Sequence, residues 1–228
     1  MGLDALLSRV PVETAHYGTE LTARIDRVFR AHPELADHRT DHPWLTGWLG
    51  DPDANVWFLS EAASQWRVEA VDRDHSRGFT PEDQWAVSPG DKRFREALYK
   101  AGFKGGGPLT SGGWQCYVGV LSKSHVDYAT WRKLPDSTKF GLFETWAPVL
   151  RWELEQGQPK VVAAMGSVTE RAIVHLVKSG AIPPPRKLTR IWSYGYLMQP
   201  GPGSTPPMDP RKIATYEAQF VALGHDSR

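Results

Sequence analysis

The stretch Asn55-Val56-Trp57-Phe58-Leu59-Ser60-Glu61-Ala62-Ala63-Ser64 decides how the chain is read. Its first half is a short apolar run of β-forming residues, entered from the turn-forming cluster Gly50-Asp51-Pro52-Asp53. Such a run predicts a strand buried on both faces. It gives way to a carboxylate followed by small residues. Small side chains let a ligand approach the backbone, and ligands of open α/β sheets bind beyond the carboxyl ends of the strands. Glu61 is therefore a candidate for chemistry, set against the commoner fate of a strand-end Glu, solvation at the surface.

Elements of alternating type lie outward from this strand. Before it, Leu21, Ile25, Val28 and Phe29 recur at helical spacing within Val12 to His32, which Pro33 terminates. Trp44, Leu45 and Trp48 form an apolar turn. After Glu61 a long polar connection carries Arg67, Arg73, His75 and Arg77 as far as Gly90, and connections of that length are usually functional or mobile. A helix is predicted from Asp91 to Gly102, with Phe94, Leu98 and Tyr99 on one face. The glycines at 105–107 and 112–113 mark a loop, and no Gly-Lys-Ser/Thr follows them, which excludes a P-loop. Trp114 to Leu121 reads as a second strand with the polar, basic exit Ser122-Lys123-Ser124-His125. Thr138 to Gln156 reads as a long helix containing Pro148, and Lys160 to Met165 as a buried strand. Ser167 is the expected N-cap of a helix from Val168 to Lys178, with Glu170 completing a capping box. Leu188 to Trp192 is the last strand, Tyr194 to Asp209 is too rich in Gly and Pro to be regular, and Pro210 to Leu223 closes the chain as a helix capped by Asp209. This alternation predicts an α/β fold: a three-layer α/β/α sandwich on a mainly parallel four-stranded sheet. One domain is expected over residues 1–228, with 1–40 a helical extension packed on it.

Composition narrows the function classes. The chain has 228 residues, 40% hydrophobic and 23% charged, with a formal net charge of +1, so nucleic-acid contact would need a local basic face. A single cysteine, Cys116, excludes an intrachain disulfide and a four-cysteine cluster from this chain alone, and its apolar surroundings read as core. The sequence shows no signal peptide or membrane-spanning run, and a cytoplasmic monomer is the expectation. There are ten tryptophans, and Trp66, Trp85, Trp114 and Trp192 stand at segment ends, where aromatic faces can stack on planar ligands.

In their succession these motifs resemble the uracil-DNA glycosylase superfamily, nearest to its family 4 and 5 bacterial members. Ser60-Glu61-Ala62-Ala63-Ser64 stands where that family has Gly-Glu-Ala-Pro-Gly, and Trp85-Ala86-Val87-Ser88-Pro89-Gly90 stands where it has Pro-Phe-Val-Gly. Val118-Gly119-Val120 matches its Thr-Asn-Val, and Tyr194-Gly195-Tyr196 matches its His-Pro-Ser. The similarity spans roughly residues 40 to 223. The departures matter as much: the four cluster cysteines of family 4 are missing, the pyrimidine-reading Asn is replaced by Gly119, and the base-stabilising His by Tyr194, with Ser193 or Tyr196 as neighbouring candidates.

The resemblance implies a DNA glycosylase that flips a nucleotide from the stack and hydrolyses its N-glycosidic bond. Glu61 and Tyr194 would be catalytic. Ala62, Ala63 and Ser64 would bind the base through their amides, Trp85 would stack on it, and Gly119 and Tyr196 would complete its pocket. Lys123, His125, Arg132, Arg190 and Arg211 would contact phosphates, and Leu197 and Met198 would form the wedge into the duplex. No cofactor or metal is called for, and the partner is DNA, duplex or single-stranded. Gly119 suggests an enlarged pocket for a bulky modified pyrimidine, the substrate of the superfamily's antiviral members as distinct from its repair enzymes. Two other classes stay open: a non-catalytic DNA-binding member, and a hydrolase of free nucleosides or small glycosides.

Overall fold

The computed structural model describes residues 12–40, 49–75, 88–197 and 209–226. Trp85, Met198 and the apolar turn at 44–48 lie outside these described residues. In chain order come α1 (Val12–Ala31), a 3-10 helix (Pro33–His38), β1 (Leu49–Gly50), β2 (Val56–Ser64), α2 (Gln65–His75), α3 (Pro89–Lys100), β3 (Tyr117–Val126), α4 (Tyr128–Trp131), α5 (Asp136–Gly157), β4 (Val161–Met165), α6 (Ser167–Lys178), β5 (Leu188–Ile191), α7 (Tyr194–Leu197) and α8 (Pro210–Asp226).

These elements form an α/β fold on a five-stranded mixed sheet in the order β1-β3-β2-β4-β5. β3, β2, β4 and β5 run parallel, and β1 adds an antiparallel edge on β3 through Leu49 and Gly50. The expected four-stranded sheet thus gains an edge strand too short to show a periodicity. β2 is central, as its apolar run demands. Side chains alternate across it: Trp57 and Leu59 enter one core with Leu21 and Phe29 of α1, Trp146 and Leu150 of α5, and Ile173 of α6. Val56 and Phe58 enter the other with Phe94 of α3 and Phe220 of α8. Phe58 stacks on Phe220 with ring centroids 5.3 Å apart and meets Phe94 edge-on at 5.9 Å. Cys116 is fully buried in this second core.

Some local expectations hold: Asp91 lies in the first turn of α3, and Asp209 Oδ1 accepts the Arg211 amide at the start of α8. The structure adds that α3 begins at Pro89 and is capped by Ser88 in a reciprocal capping box with Asp91. Others are corrected. The polar connection after Glu61 contains α2, whose buried Arg67, Val68, Ala70 and Val71 form a helical face obscured by the charges around them. At the start of α6 the cap is Gly166, not Ser167. A φ of 102° turns the chain sharply from β4 into the helix, a conformation suited to glycine, and Ser167 is already helical. The segment after Trp192 forms the one-turn α7 before leaving the described residues.

The largest correction concerns β3. It begins at Tyr117, and the supposed polar exit Ser122–His125 lies inside it, buried along its whole length. Ala62 pairs with Ser122 and Ser64 with Val126, so β3 carries extra residues between those rungs as a bulge. The Ser122 hydroxyl holds that bulge by donating to the Ser124 carbonyl at 3.1 Å and accepting the Ser124 amide at 3.3 Å. Lys123 is not a surface cation. Its Nζ lies 2.7 Å from Glu153 Oε2 on α5, both side chains only 1% exposed, and it donates to the Val120 carbonyl at 3.1 Å. Tyr117 donates to the other Glu153 oxygen at 2.8 Å, and Tyr17 of α1 donates to Tyr117 at 3.3 Å. A buried charge requires a partner of this kind, which is why so polar a segment can enter the core.

Lys123→Met should therefore destabilise the protein by about 3–5 kcal/mol, since it strands the Glu153 carboxylate in the core. Adding Glu153→Gln should restore much of the loss. Urea denaturation of the single and double variants measures both.

Candidate functional site

The chain leaves β2 in one direction for β3, then crosses back to β4 and β5 on the other side. Ligand sites of open α/β sheets gather where the winding reverses. A cavity of about 470 Å³ lies there, at the carboxyl ends of the strands. β2 supplies Glu61 and Ala62 to its wall, the end of β3 leads into Asp127 and Tyr128, and Ser193 and Tyr194 follow β5.

Glu61 stands on the face of β2 that looks toward α4 and α5. Its Oε2 accepts a hydrogen bond from the Trp131 indole N–H at 2.7 Å. Burial pushes the Glu61 carboxyl above its ordinary range, while the Trp131 bond and the nearby Lys139 charge act the other way. Lys139 is buried, its Nζ 5.7 Å from the Trp131 ring centroid.

Tyr194 and Arg67 line the cavity too. Arg67, in the first turn of α2, donates to the Tyr194 side chain and places its Cζ 5.5 Å from that ring's centroid. Its NH2 group also donates to Asp91 Oδ1 at 2.5 Å, and Asp91 is itself held by Ser88 at the start of α3. Burial is the main reason the Tyr194 phenol sits above its ordinary range, against the lowering influence of Arg67. The phenol stays protonated at neutral pH and remains a donor. Trp66 and Tyr128 also border the cavity, and each is about half exposed.

The structure brings Glu61, Ala62, Ser64 and Tyr194 together. Ala63 is buried and packs into the core on the α3 side. The expected strand end before Ala62 is corrected, because the ladder with β3 continues past Glu61 to Ser64 and uses that backbone in the sheet. Gly119 is not at the cavity. It pairs with Leu59 in the interior of β3, below the level of Glu61, so it leaves no space beside a ligand. Tyr196 is also displaced: its exposed ring packs at 4.9 Å against Trp192, with Lys212 Nζ 4.9 Å from its centroid.

Of the residues expected at phosphates, Lys123 is buried with Glu153, and His125 is 8% exposed against the His38 ring. Leu197, expected as part of a wedge, is buried in the core at 2% exposure. Arg190 is exposed but donates to Glu170 at 3.3 Å. Arg132 and Arg211 are exposed. Ser193, a neighbouring candidate to Tyr194, lines the cavity, and Arg67 and Tyr128 join it there although no motif marked them as site residues. The sequence signal for Tyr128 was Asp127, whose carboxylate caps α4 by accepting the Ala129 and Thr130 amides at 3.2 Å each.

Among the described residues, no group of three or more His, Cys, Asp or Glu side chains converges as a metal site, and no helix is long and apolar enough to cross a membrane. Compared with known families and curated proteins, the sequence matches no family model and no curated protein.

Because the folded state raises the Glu61 pKa above its ordinary 4.5, it binds that proton more tightly than the unfolded chain. Stability from this group is then greatest at pH below 4.5 and falls as pH rises through the raised value. Glu61→Gln keeps an acceptor for the Trp131 N–H and removes the ionisation. It should melt above the wild type at neutral pH and lose that advantage below pH 4.5, as read by thermal melts across pH.

Proposed function

We propose that the protein is a DNA glycosylase of the uracil-DNA glycosylase kind, hydrolysing the N-glycosidic bond of a flipped, modified pyrimidine and leaving an abasic site. The observation that carries this reading is the setting of Glu61: a carboxylate in the carboxyl-terminal half of the central strand, one oxygen held by Trp131, facing a cavity of about 470 Å³ that Tyr194 also lines. That volume lies in the range of small-molecule sites.

The chemistry follows from charge. Rupture of the bond between the sugar and the base builds positive charge on the sugar and negative charge on the departing base. Ionised Glu61 stabilises the sugar cation, and its Oε1 takes a proton from the water that attacks C1′. The Tyr194 hydroxyl donates to the departing base, and the Arg67 guanidinium beside it makes the phenol a stronger donor. Trp66 and Tyr128 offer exposed rings for stacking at the mouth. With Gly119 outside the cavity, room for a bulky base comes instead from small lining residues. A Cβ added at Gly195 would meet nothing closer than Ser193 Oγ at 3.5 Å.

A second reading, hydrolysis of free nucleosides or small glycosides, is favoured by one observation. Lys123, His125 and Leu197 are buried and Arg190 is bound to Glu170, so the expected DNA-contacting face is much reduced. The two readings share Glu61 and differ in partner.

Incubation with DNAs carrying different modified pyrimidines should release a base detectable by mass spectrometry. Glu61→Gln should lower that release by about 10²–10⁴-fold. DNA affinity should fall as salt rises, through counterion release, with a shallow slope because Lys123 and His125 are buried and Arg190 is paired with Glu170. Cleavage of free nucleosides with salt-independent binding would assign the small-substrate activity instead. DNA binding with no release from any DNA or nucleoside would make the protein a non-catalytic binder.

A further inference from the structure

We propose that Trp131 is a positioning residue for the Glu61 carboxylate, its indole N–H fixing one oxygen so that the other is presented to the reacting water. This rests on the glycosidase reading of the site. Buried indoles elsewhere in the fold satisfy their N–H on neutral acceptors: Trp57 on the Pro52 carbonyl at 3.1 Å, and Trp146 on the Ser124 hydroxyl at 3.0 Å. Trp131 instead donates at 2.7 Å to a carboxylate that lines the cavity. Among the described residues, the other oxygen, Oε1, takes no protein hydrogen bond. A single donor therefore sets the orientation of the group.

The indole is held rigidly enough for this. It is 5% exposed and meets Phe143 of α5 edge-on at 5.7 Å. Its one-turn helix is pinned at the start by Asp127, which also accepts the Thr130 hydroxyl at 2.6 Å. Lys139 lies near the ring and within electrostatic reach of Glu61, and no carboxylate among the described residues pairs with it.

The charged and titratable groups facing Glu61 are Lys139 and Asp136 from α5, Arg171 from α6 and Tyr128 from α4. Asp136 and Arg171 pair with each other at 2.7 Å and largely cancel. Lys139 and the indole bond are left as the influences that oppose the upward push of desolvation on the carboxyl and so favour its ionised form. A base must be ionised to take a proton from water, so the same contact serves orientation and charge.

The test begins with the wild-type chain labelled with 15N at the tryptophan indoles. The Trp131 indole resonance should titrate with one inflection, the ionisation of Glu61, and should be flat in Glu61→Gln. Lys139→Met should move that inflection to higher pH. A flat wild-type resonance, or an inflection that survives in Glu61→Gln, overturns the proposal, and neither result needs a substrate. With the DNA substrate that releases base, Trp131→Phe removes the N–H and keeps an aromatic ring. Its kcat should fall by roughly ten- to a hundredfold with KM unchanged, and the acid limb of its pH profile should move up. Wild-type rate and profile in a folded Trp131→Phe would overturn the positioning role while leaving the glycosylase reading intact. An indole titration in a protein that cleaves no N-glycosidic bond would support the positioning contact and remove the glycosylase reading.

Discussion

The pairing of β2 with β3 beyond the level of Glu61 is the constraint on which the site depends. A central strand that ended at its carboxylate would leave Glu61 in solvent. Continuation to Ser64 needs a partner strand of equal reach, and β3 supplies it by carrying Ser122 to Val126 through the core. The bulge absorbs the mismatch between the strands and delivers the chain to Asp127, where α4 begins. That delivery sets Trp131 against Glu61 and Tyr128 at the cavity. The buried Lys123–Glu153 pair, with the Tyr117 hydroxyl on the second oxygen, is the electrostatic condition for the path. A charged strand segment enters a core only when its charge is answered there.

The cavity collects opposite polarities from the two sides of the sheet. From the α5 side come a carboxylate and the indole that holds it. From the α3 side come a phenol and a guanidinium anchored on buried Asp91. A carboxyl group and a phenolic donor thus face one space from opposite sides of the sheet. The anchoring groups sit at element ends, Arg67 in the first turn of α2 and Asp91 in the capping box of α3. Their positions are thus set by backbone hydrogen bonding as well as by packing.

The sequence alone settled the elements whose physics is local. The Val56–Leu59 apolar run, the helix of Phe94 and Leu98 and the stop at Pro33 all follow from spacing within a dozen residues. Alternation of such elements was enough to anticipate an α/β fold and to single out Glu61. Tertiary structure decided what depends on partners distant in the chain. Lys123 and His125 read as an exposed basic exit because nothing nearby announces Glu153, which answers Lys123 from a helix beginning well beyond it, or His38, whose ring meets His125. Gly119 matched a motif by order along the chain, but the ladder register puts it opposite Leu59, below the cavity. Trp131 and Arg67 carried no motif at all, and their roles arise from contacts with Glu61, Asp91 and Tyr194. Periodicity and capping are encoded between neighbours. Strand register, the burial of a charge and the meeting of a donor with a carboxylate are set by which faces pack together, and only the folded chain determines that.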